Sequence, residues 1–195
     1  AVLRKALSEL IDIFGDEVKK LEISVDSAIP AGRGLGSSAS ISVALIKGVS
    51  QFFKLGVNKE ELIKKAMRLE KIFHGKPSGI DHTTICEGSV NFFQRDKTNN
   101  NYRLEKIKCP RTLNFAIGLA GPHLGTSKSV KALGERIRNH KSAYQKIFDG
   151  ISEIADEMHV ALKEGHLASV GELMNLNQGY LNSLGVSTPD LEALC

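Results

Sequence analysis

The ten residues "AGRGLGSSAS" (31–40) decide how the middle of this chain folds. The preceding stretch "LEISVDSAI" (21–29) alternates apolar with polar residues, which predicts a half-buried strand that Pro30 ends. A helical period begins at Ser38, so the glycine-rich stretch is predicted to connect a strand to a helix. The first N–H groups of such a helix lack intrahelical partners and, together with the helix dipole, form a site for phosphate.

The three glycines of this loop, at 32, 34 and 36, would let the backbone approach phosphate oxygens closely, because no Cβ intervenes. The loop is not a Walker A motif, since no Gly-Lys-Ser/Thr follows it. It is not a dinucleotide fingerprint either, because its third glycine has the wrong spacing. The loop alone leaves two interpretations open, a phosphate cradle and a turn whose serines cap the helix.

A second group of residues, "EKIFHGKPSGID" (70–81), places one carboxylate at the end of a helix and another at the start of the next. The Gly, Pro and Gly between them break the helix and can turn Glu70 and Asp81 toward one pocket. Phosphoryl transfer uses such a pair, one acid to hold Mg²⁺ and one to orient or deprotonate the attacking hydroxyl. Taken singly, Glu70 could equally be a solvated helix residue and Asp81 a simple cap.

The rest of the chain is predicted to be mixed in its first half and mainly helical from Thr126 onward. In the helix after the loop, one face is predicted to be apolar, made of Ile41, Ala44, Leu45, Val49 and Phe52. The next helix opens at Asn58 with Glu61 three residues on, as in a capping box. Further strands are predicted in "SVNFFQ" (89–94), "YRLEKI" (102–107) and "LNFAIGLA" (113–120). We expect two domains, residues 1–109 and 110–195.

Composition favours a soluble globular protein, with 42% hydrophobic and 25% charged residues among 195. The net charge of +4 is mild and its lysines are scattered, which disfavours nucleic-acid binding. Three distant cysteines without CxxC spacing disfavour a disulfide framework or a zinc site and favour a reducing compartment. No apolar run approaches a membrane span and no signal peptide is visible, so we expect a cytoplasmic protein without membrane partners.

Three motifs together resemble one family. "PAGRGLGSSAS" (30–40) resembles the second motif of the GHMP small-molecule kinases. "EKIFHGKPSGIDHTT" (70–84) is similar to the mevalonate kinase branch of that family, and "LNQGYLNSLGVSTPDLEAL" (176–194) resembles its asparagine-rich helix and LGV turn. The resemblance implies an α+β fold, with a ribosomal-protein-S5-like N-terminal domain and a ferredoxin-like C-terminal domain, both incomplete.

The resemblance also implies roles for single residues. The ATP triphosphate would be bound by Gly32, Gly34, Leu35, Gly36, Ser37 and Ser38. Ser38 and Glu70 would hold Mg²⁺, and Asp81 would accept or polarise the proton of the substrate hydroxyl. Thr126 matches a threonine near the substrate and the transferred phosphate, and His74 is a candidate substrate contact that could equally be a capped, buried histidine.

The implied function is ATP-dependent phosphorylation of the primary hydroxyl of mevalonate, a step of isoprenoid synthesis. Homoserine, phosphomevalonate or galactose as substrate, and a binding sensor without catalysis, remain alternatives. A homodimer is compatible with the resemblance. The family's N-terminal lysine motif and its last glycine-rich motif have no match, and both chain ends have a helical pattern. We therefore expect a segment of a longer kinase that has little turnover by itself.

Overall fold

The computed structural model describes residues 2–75, 77–95, 102–121 and 126–195, without the side chains of 2, 3 and 126–130. These residues divide into two compact units, Ala1–Phe93 and Gln94–Cys195, with the boundary inside the first strand. The first unit contains α1 (Val2–Phe14), a 3₁₀ turn (Asp16–Lys20), α2 (Ser37–Phe52), α3 (Lys59–His74) and α4 (Ile80–Glu87). The predicted domains, which divide at 109/110, stay a prediction.

The second unit is mostly helical. β1 (Asn91–Arg95) and β2 (Tyr102–Lys106) form a two-stranded sheet. The helices that follow are α5 (Thr126–Asn139), α6 (Lys141–Glu164), α7 (Leu167–Ser183) and α8 (Pro189–Glu192). The two strands confirm the predictions for "SVNFFQ" and "YRLEKI" to within a few residues. No helix in the described part of the chain is both long and apolar enough to cross a membrane.

The core of the first unit forms where α1, α2 and α3 pack together. Its buried members are Ala6, Leu10, Val18, Ile46, Val49 and Leu69. The N-terminus of α3 has the predicted capping box, since the Asn58 side chain accepts a hydrogen bond from the Glu61 N–H and the Glu61 carboxylate accepts one from the Asn58 N–H. The cap fixes where α3 begins, and therefore which turn of α3 faces α2.

The predicted apolar face of α2 exists, but it is not the face that is most buried. The residues of α2 that are buried include Ser42, Val43, Ile46 and Ser50, whereas Phe52 is 66% exposed. The predicted apolar face instead lines a groove beside residues 21–26. Counting apolar residues does not identify the buried face of α2, because that face includes the polar residue Ser42. Ser42 belongs to the candidate site.

Two predicted strands, residues 21–29 and 113–120, form no strand in the structure. Their alternating apolar side chains are exposed, with Val25 at 52% and Ile117 at 68%. A strand requires a hydrogen-bonded neighbour, and the one sheet of the described residues contains only β1 and β2. The alternating pattern is present in both segments, but a pattern within one segment does not specify a partner strand.

Candidate phosphate and metal site

The loop between residues 31 and 36 depends on glycine for its backbone. Gly32, Gly34 and Gly36 have φ angles of 70°, 76° and 69°, which residues with a Cβ rarely adopt. A Cβ at Gly32 or Gly34 would meet nothing within 4 Å, so these glycines are not required by packing against the protein. Strain explains why they are glycine, and the open space beside them leaves room for a ligand.

The N-terminus of α2 is free of a side-chain cap. Gly36 is the N-cap residue, and Ser37 and Ser38 are the first two helical residues, so the predicted alternative of serine capping does not apply. The first backbone bond of the helix runs from Ser40 N–H to the Gly36 carbonyl at 2.9 Å. The N–H groups before Ser40 therefore have no intrahelical acceptor, and the dipole of a 16-residue helix adds positive potential there. This end of α2 can bind an anion.

One turn inside that helix end, α2 meets α3 through four polar side chains. Ser38 and Ser42 are four residues apart on α2, and Glu70 and His74 are four apart on α3, so each pair shares a helix face. Ser42 Oγ donates to Glu70 Oε1 at 2.9 Å. Ser38 Oγ lies 3.5 Å from Glu70 Oε2 and 2.7 Å from His74 Nε2. We call these four residues the Glu70 cluster.

Glu70 is the buried member of this cluster, with 1% of its surface exposed. A carboxylate in that position normally requires a cation or several hydrogen bonds. Among the described residues its partners are the two hydroxyls and the His74 ring, whose Nε2 lies 3.9 Å from Oε2. The carboxylate is thus held in place by two hydroxyls and a histidine ring. Its predicted alternative, a solvated helix residue, does not fit this burial.

Sequence reasoning missed Ser42. Its signal was its position four residues after Ser38, on the same face of α2. A serine inside an otherwise apolar helix is a weak signal by itself, because serine often occupies helix surfaces. Its 0% exposure and its bond to Glu70 give it a function in the site, which is to fix one oxygen of the buried carboxylate.

Asp81 lies in the first turn of α4, whose N-cap is Gly79. Its carboxylate is exposed, and it makes no hydrogen bond or ion pair to another described residue. Ile85, one turn further along α4, is the nearest side chain to Gly36, 4.0 Å from the position of a Cβ there. The face of α4 that carries both Ile85 and Asp81 is therefore directed toward the glycine loop.

The residue after Asp81 is buried. His82 is 1% exposed, and this burial lowers the pKa of its imidazole, while the neighbouring Asp81 carboxylate opposes the shift. The imidazole is therefore uncharged at neutral pH. The His82 imidazole therefore carries no charge that would neutralise the neighbouring Asp81 carboxylate.

The remaining predicted site residue is Thr126. It begins α5 in the second unit, and its side chain lies outside those that the structure describes. Leu35 is partly exposed at 38%, in the loop between two positive-φ glycines. The roles predicted for these residues stay predictions.

The metal-binding capacity of the site follows from its donors. No group of three His, Cys, Asp or Glu residues in the described part of the chain could hold a metal ion. A Mg²⁺ ion that accompanies nucleotide phosphates needs fewer protein ligands, typically one or two carboxylates beside water and phosphate oxygens. One buried carboxylate and one hydroxyl, Glu70 and Ser38, fit that second type of site.

Comparison with known proteins gives a consistent result. The family model of the GHMP kinases N terminal domain matches residues 1–89. Mevalonate kinase from Pyrococcus horikoshii is 31% identical over 89% of this chain and 51% of its own length. Mevalonate kinase from Thermococcus sibiricus is 33% identical over 95% of this chain and 56% of its own. The chain thus spans about half the length of the curated relatives it matches.

A solved structure extends the similarity to the fold. This chain is similar in structure to the crystal structure of L. major mevalonate kinase in complex with R-mevalonate, with a TM-score of 0.76. The match covers 98% of this chain and 59% of the L. major chain. Its sequence identity is 24%, so this match concerns the fold. The predicted GHMP kinase fold is confirmed.

Proposed function

We propose that this chain is part of a GHMP kinase, which the family-model match over residues 1–89 supports, and that its protein transfers the γ-phosphoryl group of ATP to the primary hydroxyl of mevalonate. Use of ATP follows from the family. The substrate is proposed from the names of the relatives, which are mevalonate kinases in Pyrococcus horikoshii and Thermococcus sibiricus. The observation that carries the proposal is the Glu70 cluster, which lies one turn inside an uncapped helix end.

The glycine loop and the start of α2 bind the triphosphate in this proposal. The free N–H groups before Ser40 donate to phosphate oxygens, and the positive-φ glycines keep Cβ atoms out of the way. These donors are fixed before the ligand arrives, so they stabilise developing charge without reorganising. The predicted binding residues 32–38 act here mainly through their backbone.

Ser38 and Glu70 would hold Mg²⁺ beside the phosphates. A bound Mg²⁺ neutralises the charge that develops on the phosphate oxygens. Ser42 holds one Glu70 oxygen at 2.9 Å, which leaves the other oxygen and the Ser38 hydroxyl as ligands. Ser38 Oγ also lies 2.7 Å from His74 Nε2, so that the histidine ring helps to fix the position of the hydroxyl.

Asp81 accepts the proton of the substrate hydroxyl. The oxygen of that hydroxyl forms a bond to the γ-phosphorus, the bond to the β–γ bridging oxygen breaks, and ADP leaves. The exposed carboxylate has no protein partner among the described residues that would compete for this proton. His74 and Thr126 are proposed substrate contacts by resemblance.

Three free cysteines, Cys86, Cys109 and Cys195, support a reducing compartment, and the proposal places the reaction in the cytoplasm. Its partners are mevalonate and ATP, with neither nucleic acid nor membrane required. A homodimer stays a prediction.

A coupled assay of ADP release on the full-length protein tests the function. Mevalonate, homoserine, phosphomevalonate and galactose are supplied separately at equal concentrations. We expect mevalonate to give the highest kcat/KM, and faster turnover of another hydroxyl would move the assignment to a different GHMP kinase. ATP binding without transfer to any of the four would favour the binding sensor.

A further inference from the structure

The two oxygens of the Glu70 carboxylate have unequal surroundings. Oε1 accepts a hydrogen bond from Ser42 Oγ at 2.9 Å. Oε2 lies 3.5 Å from Ser38 Oγ and 3.9 Å from His74 Nε2, and both distances are longer than a normal hydrogen bond to a charged oxygen. Among the described residues, one oxygen of Glu70 is therefore bound tightly and the other is held loosely.

The loosely held oxygen lies on the more open side of the Glu70 cluster. Ser42 is 0% exposed and sits one turn deeper in α2 than Ser38. Ser38 is only partly buried, and the side chain of His74 is 48% exposed. Oε1 is thus directed into the contact between α2 and α3, whereas Oε2 lies nearer to the uncapped end of α2.

The bond to Ser42 fixes the orientation of the carboxylate group. A rotation that turned both oxygens toward the open side would break this bond, and a buried hydrogen bond to a charged group is costly to break. Glu70 itself is 1% exposed, and the preceding residue, Leu69, is part of the core of the first unit. The carboxylate therefore presents a single oxygen before any cation arrives.

Divalent cations differ in how they use a carboxylate. Mg²⁺ keeps several water molecules, requires a regular octahedral arrangement and takes one or two carboxylates beside phosphate oxygens. Ca²⁺ is larger, takes more oxygen ligands in a flexible arrangement and often binds both oxygens of one carboxylate. A carboxylate that offers one fixed oxygen suits Mg²⁺ and disfavours Ca²⁺.

We propose that Ser42 is a positioning residue that selects Mg²⁺ over Ca²⁺ at the nucleotide site, because it restricts Glu70 to binding a cation through Oε2. The selection rests on the proposed function, in which Glu70 and Ser38 hold the cation beside the phosphates of ATP. It acts through the hydrogen bond between Ser42 and Glu70, and both residues belong to the first unit.

The test is Ser42→Ala in the full-length protein. Alanine removes the hydroxyl and favours a helix, so α2 keeps its backbone. Ser50→Ala is the matched control, since Ser50 is a second buried serine of α2, at 4% exposure. Its Oγ donates to the Ile46 carbonyl at 2.6 Å and not to a carboxylate. Isothermal titration calorimetry measures the dissociation constant of ATP in excess Mg²⁺, in excess Ca²⁺ and without metal, with no acceptor substrate present.

We expect wild type and Ser50→Ala to bind ATP more tightly with Mg²⁺ than with Ca²⁺. In Ser42→Ala the ratio of the two dissociation constants should fall by about tenfold. The freed carboxylate then offers both oxygens to Ca²⁺ and is less well oriented for Mg²⁺. Binding of ATP without metal should be equal in the three proteins, because the backbone donors of the glycine loop are unchanged.

The inference is overturned if the ratio in Ser42→Ala equals that of wild type, or if Ser50→Ala lowers the ratio as much. If Ser42→Ala does not fold by near-ultraviolet circular dichroism, Ser42→Cys takes its place against Ser50→Cys, because a thiol keeps the volume and is a weak donor. Wild-type binding of ATP that neither cation strengthens overturns the proposed metal site and this inference together. A wild-type preference for Mg²⁺ that Ser42→Ala retains overturns the inference alone.

Discussion

Two carboxylates, one in each unit, have opposite surroundings. Glu70 is 1% exposed and is held by two serine hydroxyls and a histidine ring. Glu105 on β2 is 29% exposed at its side chain and binds a lysine, an arginine and a histidine ring. Lys163 Nζ lies 3.1 Å and His159 Nε2 3.0 Å from its Oε1, and Arg103 Nη2 lies 2.8 Å from its Oε2.

We interpret the difference as one between a structural carboxylate, Glu105, and one that serves a ligand, Glu70. The hydrogen bond from Lys163 is the main cause that lowers the pKa of Glu105 to about 2, with His159 and Arg103 adding to it. Its charge is satisfied within the protein, where it fastens β2 to α6. Glu70 is the more buried of the two, yet no lysine or arginine in the described part of the chain pairs with it. We interpret Glu70 as kept for a cation that arrives with the substrate.

Asp81→Asn, a substitution in the same unit as Glu70, is expected to have the largest effect on kcat. Loss of a general base typically lowers the rate by 10²–10⁴-fold, so we expect a kcat decrease in that range in the full-length protein. The control is Glu60→Gln, which removes a carboxylate from the first turn of α3. An Asp81→Asn variant that keeps its kcat within about tenfold of wild type would remove Asp81 from the mechanism.

Glu70→Gln tests whether the buried carboxylate serves a ligand. We expect a decrease of kcat/KM of about 100-fold or more, because a charged ligand of the phosphate site is lost. The free energy of unfolding should stay equal or rise, since an uncompensated buried charge is removed. Steady-state kinetics and urea unfolding measure the two effects.

Glu105→Gln is the matched substitution and should leave kcat/KM unchanged. The opposite pattern, a stability loss at Glu70 with normal activity, would make both carboxylates structural.

The glycines of the two units also differ, in whether a side chain at the position would meet other atoms of the protein. A Cβ at Gly34 would meet nothing, whereas a Cβ at Gly150 on α6 would lie 2.5 Å from Tyr180 Oη on α7. We expect Gly150→Ala to lower the free energy of unfolding by about 1–3 kcal/mol through overpacking. Gly171→Ala on α7 is the control, because a Cβ there meets nothing and alanine favours a helix by up to about 1 kcal/mol. Equal stability of the two variants by urea unfolding would show that α6 and α7 do not pack through Gly150.

The smallest expected effect is the pH dependence of Glu105. Its pKa is lowered from 4.5 to about 2, so its stabilising contribution is present above pH 4.5 and is lost as the pH falls toward 2. The stability difference between wild type and Glu105→Gln should therefore be full at pH 7 and vanish near pH 2. Glu157→Gln on α6 is the exposed control. A difference that does not change with pH would mean that Lys163, His159 and Arg103 do not hold Glu105 ionised.

The sequence predicted those parts of the fold that depend on local chemistry. The Asn58–Glu61 cap and the start of α2 follow from neighbouring residues alone, and the structure has both. Residues 21–29 failed as a strand because a strand depends on a distant partner.

The candidate site follows the same division. Glu70 and Asp81 carry a recognisable motif, whereas Ser42 required knowledge of which face of α2 meets α3. Arg136 Nη2 donates to the Leu184 carbonyl at 2.7 Å although the two residues are 48 positions apart. Neither sequence segment by itself predicts this contact.

We propose above all that Glu70 serves a cation that comes with ATP. The most direct measurement is the affinity of the full-length protein for ATP by isothermal titration calorimetry, with and without Mg²⁺, in wild type and Glu70→Gln. We expect Mg²⁺ to strengthen ATP binding to wild type, and we expect this increase to be absent in the variant while Mg²⁺-free binding is retained. An equal increase in both proteins would contradict it.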